Sequence, residues 1–180
     1  MIARSKELAA RPRHYATDQF SNPYITPAHR DGLGRELWEQ SGGRVTAFVQ
    51  GVGTATALNG VSDALRPHGV FVQALEPAAS AAISGGGTKG AFAMQGWAGS
   101  VVPQWDPARV DAVDTIENDE AIAMTARLAR EEGIFAGVST GANVVGALRL
   151  ADRLGPDAVI AALAVDSGFK YLSVSPYADL

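Results

Sequence analysis

The stretch Val45-Thr-Ala-Phe-Val-Gln-Gly-Val-Gly-Thr-Ala-Thr-Ala-Leu-Asn-Gly-Val61 decides the fold. Val45 to Val49 are apolar or β-branched at nearly every position, the composition of a parallel strand covered on both faces. Gly51 and Gly53 follow as a turn that lets the backbone pass close to a neighbour. Thr54 stands where a helix is expected to begin, its hydroxyl available as a cap. A helix starting there points free N–H groups and the positive end of its dipole over the strand end, which makes an anion cup, most often for phosphate. The dinucleotide-binding fingerprint is not met, because Ala55 and Thr56 stand where further glycines are wanted. A nicotinamide reading stays open as a rival through Glu76, which ends the next apolar run, Val70-Phe-Val-Gln-Ala-Leu75.

Working outward, the helix after Thr54 ends before Pro67 and a short connection leads into residues 70–75. That is a βαβ crossover, so the two strands are expected to be parallel and the crossover right-handed. Upstream, residues 28–40 carry Leu33, Leu37 and Trp38 on one side and charges on the other, a helix stopped by Ser41-Gly-Gly43. Asp18-Gln-Phe-Ser-Asn-Pro-Tyr24 reads as a loop in which Asn22 bonds nearby backbone. Residues 5–10 are a short helical patch cut off by Pro12. Downstream, residues 77–107 form a long irregular stretch with two glycine-rich segments. Residues 111–116 are a third strand, 118–132 a helix closed by Gly133, 139–154 a helix that Ser139 or Thr140 can cap, and 158–165 the last strand. The expected fold is α/β, an open, mostly parallel sheet with helices on both faces. Ligands on such sheets sit beyond the carboxyl ends of the strands.

Composition excludes several functions. The 180 residues are 47% hydrophobic, enough for one filled core, so residues 1–180 are expected to form one domain. The net charge is −4 and no basic run is present, which argues against nucleic acid and anionic membrane surfaces. Cysteine is absent, removing disulfide and thiolate chemistry. With no signal-peptide pattern at Met1-Ile-Ala-Arg-Ser-Lys-Glu and no spanning apolar run, the expected compartment is the cytoplasm. His14, His29 and His68 are scattered and read as surface or capping residues, so no metal site is expected. Asp111, Asp114, Glu117 and Asp119 read as a solvated charge run.

Five segments carry a resemblance: Gln19-Phe-Ser-Asn-Pro23, Gly51-Val-Gly-Thr54, Gln95-Gly96, Glu131-Glu-Gly-Ile-Phe-Ala-Gly-Val-Ser-Thr-Gly-Ala142 and Ser167-Gly-Phe-Lys-Tyr-Leu-Ser173. In order and approximate spacing they resemble the C-terminal half of the cysteine synthase family, fold type II pyridoxal-phosphate enzymes that include O-acetylserine sulfhydrylase and cystathionine β-synthase. The resemblance implies a leftover small-domain helix in residues 1–14 and the cofactor-binding domain in 15–180. It implies pyridoxal phosphate as cofactor. Gly51, Gly53 and Thr54 fall on the phosphate loop and Ser139 on the hydroxyl that bonds the pyridine nitrogen. Gln19 falls near cofactor and substrate, and Asp166 and Ser167 on the loop beside the ring edge. A neutral partner at the ring nitrogen suits β-elimination and β-replacement on a small amino-acid substrate.

The departures are as specific. The family loop usually reads Gly-Thr-Gly-Gly-Thr where this chain has Gly53-Thr-Ala-Thr-Ala57, so Ala55, Thr56 and Ala57 are expected to weaken phosphate binding. If positive φ is needed, Ala55 and Thr56 each cost about 1 kcal/mol or more. Trp97 and Ala98 replace smaller or more flexible residues. The Schiff-base lysine and its Ser-x-Lys context have no counterpart, since Lys6, Lys89 and Lys170 stand elsewhere. The chain by itself is therefore expected not to perform the family reaction. It is expected to act with a complementing N-terminal-half chain or as a homodimer, the alternative being a non-catalytic binding protein derived from the fold.

Overall fold

A computed structural model describes residues 2–85, 90–100 and 102–178. Four parallel strands form one sheet in the order β3-β2-β1-β4: β1 (Ala47–Gly51), β2 (Phe71–Pro77), β3 (Ala112–Ile116) and β4 (Ile160–Ala162). The helices are α1 (Ile2–Ala9), α2 (Ile25–His29), α3 (Arg35–Gln40), α4 (Thr56–Leu65), α5 (Asn118–Glu131) and α6 (Val138–Leu154), with a π turn over Arg30–Gly34 joining α2 to α3. The expected α/β sheet is thus present, and α4 is the crossover from β1 to β2.

Alternation along β1 and β2 sorts the core. Ala47 and Val49 of β1 and Leu75 of β2 face α5 and α6, packing with Ile116, Ala121, Val138, Ala142 and Leu150. Phe48, Val72 and Ala74 face the other way, against Leu58, Val61 and Leu65 of α4. Both central strands are covered on both faces, which is why their sequences are apolar runs rather than alternations.

Several expectations shift in detail. Gly51 belongs to β1, paired with Leu75, instead of the turn. Helix α4 starts at Thr56 with Ala55 as its N-cap, so Thr54 does not cap it. Helix α6 starts at Val138 behind Gly137, and neither Ser139 nor Thr140 caps it through its side chain. The last strand is three residues long instead of eight. The acidic run is structural in part: Asp111 accepts from Val72 N at 2.8 Å and pairs with Arg66 at 3.1 Å, while Glu117 and Glu120 form a capping box on α5. The Asn22 turn holds, with Tyr24 N donating to Asn22 Oδ1 at 2.9 Å. In the long stretch 77–107, Pro77 ends β2 and the other described residues form no strand, and Lys89 with Gly86 and Gly87 lies outside them. Among the described residues no helix is long and apolar enough to cross a membrane.

Candidate functional site

Parallel strands deliver their carboxyl ends to one side of the sheet, and a cavity of about 720 Å³ opens there. Its floor is the end of β1 and the start of α4, from Gln50 to Leu58. Gln95 to Ser100 form one wall, Ser139 of α6 and Val165 another, and Gln19, Phe20, Ile25 and His29 stand opposite. Of the site residues expected from sequence, Gln19, Gly51, Gly53, Thr54 and Ser139 line this cavity. Asp166 and Ser167 do not.

The wall at 95–100 is held against the floor by close packing. Ala98 N donates to Val52 O at 2.8 Å and the Ser80 hydroxyl donates to Gly99 O at 2.5 Å. A Cβ on Gly51 would stand 1.8 Å from the Trp97 indole, and one on Gly53 would stand 2.7 Å from Gly96 O. These two glycines serve close approach, at negative φ, and the Trp97 ring occupies the space that Gly51 leaves. Glu76, buried at the end of β2, accepts from Ile83 N at 2.6 Å and Ser84 N at 3.0 Å. Its carboxylate fixes the loop after β2 and is not among the cavity-lining residues, which removes the support for a ribose-binding role.

The mouth of α4 is the expected anion cup. Ala55 adopts φ 72°, a left-handed conformation that an alanine reaches only at a cost. Thr56 does not; it is the first helical residue, so the expected strain arises at Ala55 alone. The Thr54 and Thr56 hydroxyls lie 2.9 Å apart and pair with each other. Among the described residues no lysine or arginine lines the cavity, so the donors they offer an anion there are backbone N–H groups and hydroxyls.

The mouth of α6 differs. Ser139 is 4% exposed, lines the cavity, and its hydroxyl makes no hydrogen bond among the described residues. Thr140 is engaged, accepting from Val165 N at 3.2 Å. Asn143, fully buried one turn further on, accepts from Gly51 N at 2.8 Å and donates to Leu163 O at 2.9 Å. It clamps β1 to the chain after β4 beneath the cavity. A lone asparagine in an apolar helix gives no sequence signal for such a role.

Behind this wall, the Tyr171 hydroxyl donates to Asp166 Oδ2 at 2.7 Å, and Lys170 Nζ lies 3.8 Å from the same oxygen. Burial, and then the Asp166 bond, push the Tyr171 pKa up to about 12. Asp166 Oδ1 is buried without a partner among the described residues. Ser167 Oγ accepts from Phe169 N at 3.3 Å, capping the short turn Gly168–Tyr171. His29, read as a surface or capping residue, is half-buried in the cavity, and burial lowers its pKa, which keeps the ring neutral at pH 7. Gln50, also unforeseen, lines the cavity with its buried Oε1 unpartnered among the described residues.

The residues fit a flat, anionic, aromatic ligand. One helix mouth offers N–H groups and hydroxyls to an anion, the other a spare hydroxyl to a ring acceptor, and the cavity between them is large enough for both. Comparison with known proteins agrees. Residues 1–166 match the family model described as "Pyridoxal-phosphate dependent enzyme". The chain is 40% identical to cysteine synthase B of Pseudomonas aeruginosa over 163 residues, covering 89% of this chain and 52% of that protein. It is 36% identical to cysteine synthase B of Escherichia coli over 176 residues, covering 96% of this chain and 55% of that one. Among solved structures, O-ureido-L-serine synthase superposes with a TM-score of 0.87 at 35% identity, covering 96% of this chain and 56% of that one. The chain thus spans about half the length of the curated relatives it matches. On the family match and the cavity together, the chain belongs to the pyridoxal-phosphate-dependent enzyme family.

Proposed function

We propose that these residues form the cofactor-binding half of a cysteine synthase-type enzyme that replaces the β-substituent of a small, O-activated serine-type amino acid. The observation that carries this reading is Ser139, a residue 4% exposed on the wall of the cavity whose hydroxyl has no hydrogen-bond partner among the described residues. Pyridoxal phosphate, when bound, supplies an electron sink for charge developing at the substrate's α-carbon.

The backbone N–H groups from Gly53 to Thr56, with the Thr54 and Thr56 hydroxyls, would hold the phosphate. Ser139 would donate to the ring nitrogen and, being neutral, leave that nitrogen unprotonated. Gln19, which lines the cavity, would orient the substrate, while Trp97 against Gly51 and the pinned wall behind it would exclude water. Asp166 and Ser167 would fix the Val165 wall from behind. Among the described residues neither Lys6 in α1 nor Lys170 beyond β4 lines the cavity, and Lys89 lies outside them; because none of the three stands in the family's Ser-x-Lys context, these 180 residues by themselves are expected to bind the cofactor without turnover, the reacting lysine coming from a complementing N-terminal-half chain. A non-catalytic binding protein is the second reading, favoured by the strained Ala55 in the phosphate loop.

Titration of the chain with pyridoxal phosphate, read by quenching of tryptophan fluorescence, tests both. The proposal expects saturable quenching, competition by inorganic phosphate, and about tenfold weaker binding by Ser139→Ala. Because that hydroxyl has no partner, Ser139→Ala should leave unfolding free energy within about 0.5 kcal/mol. Absence of saturable binding would leave the non-catalytic reading standing. A stoichiometric borohydride-reduced adduct on one lysine would overturn the assignment of the lysine to another chain.

A further inference from the structure

The cavity between the two helix mouths is short of positive charge. Among the described residues, His29 is the one titratable side chain that lines it. A phosphate group brings about −1.5 to −2 charges into such a space. The dipole of α4 offsets only about half a charge, and the Thr54 and Thr56 hydroxyls at its mouth are engaged with each other. The packing of α2 shows why His29 is where it is. Ile25 and His29 stand four residues apart, hence on one face of the helix, and both line the cavity. That face lies against α4: a Cβ on Gly60 would stand 2.6 Å from the His29 Cβ and 2.5 Å from Thr26 O, so the close approach needs a glycine. Gly60 itself follows Thr56 by four residues on the same face, about 6 Å along the axis. The His29 ring is therefore rooted about one helical turn from the expected anion cup.

The ring is uncommitted. Its nitrogens make no hydrogen bond among the described residues, and burial alone lowers its pKa. Helix α2 carries no other ionisable group, and it packs on α4 and the π turn. The charged groups of those two elements have partners of their own: Arg30 pairs with Asp31 at 2.7 Å, and Asp63 pairs with Arg109 at 3.3 Å. Asp18, in the loop before α2, accepts from the Ser21 hydroxyl and from Phe20 N, and residues 95–105 hold no ionisable side chain. His29 is thus a neutral base beside a site built for an anion.

We propose that His29 supplies the counter-charge of this site: an anion held at the α4 mouth draws a proton from solvent onto the His29 ring, which then donates to it across the cavity. The inference rests on the reading that the cavity takes pyridoxal phosphate, and adds to it a proton taken up on binding. The sign follows from linkage. Burial favours the neutral ring in the free protein and a bound anion favours the charged one, so the complex holds the proton more tightly than the free protein does. Binding therefore strengthens as pH falls.

The test follows the rings of the 3 histidines by NMR through a pH titration of the full chain, with and without saturating pyridoxal phosphate. His14 and His68 are exposed, and His14→Gln and His68→Gln assign His29 by elimination. The His29 ring should hold its proton about tenfold more tightly in the complex, with His14 and His68 unmoved. In parallel, pyridoxal phosphate is titrated at about pH 8 and about pH 6 against the wild type and His29→Gln, which puts a neutral amide in place of the ring. The ratio of the two affinities cancels the ligand's own ionisations. It should move about tenfold in favour of the wild type from the higher pH to the lower. An unmoved His29 ring, or a ratio that is the same at both pH values, overturns the inference and leaves the cofactor reading standing. Absence of saturable binding to the wild type at either pH overturns both.

Discussion

The amino ends of α4 and α6 face one cavity and are built in opposite ways. At α4 the hydroxyls are engaged with each other and the turn is strained: Thr54 bonds Thr56, and Ala55 sits at φ 72°. At α6 the turn is relaxed, with Gly137 extended at φ −80° and ψ 170°, and the Ser139 hydroxyl is spare. The first mouth departs from the glycine-rich form of an anion cup, while the second keeps a hydroxyl without a partner among the described residues on the cavity wall. The second offers a ligand a free hydroxyl on the cavity wall, where the first offers hydroxyls that must leave each other to bind.

The floor that both mouths share should be the least tolerant of change. Gly51→Ala would drive a methyl into the Trp97 ring, and the indole is held by the wall it belongs to. We expect a loss of about 3 kcal/mol in urea unfolding, with most of it recovered in the double variant Gly51→Ala/Trp97→Ala. An additive double variant would show that the two do not meet.

Next is the clamp that joins the α6 mouth to the α4 floor. Asn143→Ala removes the acceptor of the buried Gly51 N–H and the donor to Leu163 O. A loss of about 2 kcal/mol is expected, together with faster exchange at Gly51. Unchanged exchange at Gly51 would mean that the amide finds water, and that the two mouths are not mechanically joined.

These two positions also mark where sequence stops being informative. The central strands and the amphipathic faces of α4 to α6 follow from apolar runs and helical spacing, because burial alone sets them. The sequence puts the end of β1 two residues early, since Gly51 looks like a turn residue until Trp97, 46 positions on in sequence, is seen to need its missing side chain. Asn143 and His29 have no local signature, their partners being distant in the chain. Family position puts Asp166 and Ser167 beside the ring edge; in the structure they are not among the residues lining the cavity, and they bond Tyr171 and Phe169. The last strand reads as residues 158–165 because the run is apolar throughout, and only Ile160–Ala162 enter the ladder.

The strain at the α4 mouth should be reversible. Ala55→Gly restores a residue for which φ 72° carries no side-chain penalty, and we expect about 1 kcal/mol of added stability despite the entropy that glycine brings to the unfolded chain. Pyridoxal phosphate should bind more tightly to this variant, narrowing the difference between the mouths. Lower stability would mean that the methyl, which is buried in the core beside Leu58, contributes more by packing than it costs in backbone strain.

The smallest effect lies behind the α6 mouth and appears only in alkali. The Tyr171 pKa is raised from its ordinary value of 10.0 to about 12 by burial and the bond to Asp166, so the folded protein holds the phenol proton more tightly than the unfolded chain does. That preference contributes in full below pH 10 and is lost as pH rises from 10 to about 12. Stability should therefore fall across that window in the wild type, and the part of the fall due to Tyr171 should vanish in Tyr171→Phe. The same variant leaves both Asp166 oxygens without the phenol, with only Lys170 nearby at 3.8 Å, and so should be less stable at neutral pH as well. If its stability instead matches the wild type at pH 7 and follows the same alkaline slope, the Tyr171–Asp166 pair does not hold the wall, and the relaxed geometry at Gly137 must come from the α6 backbone alone.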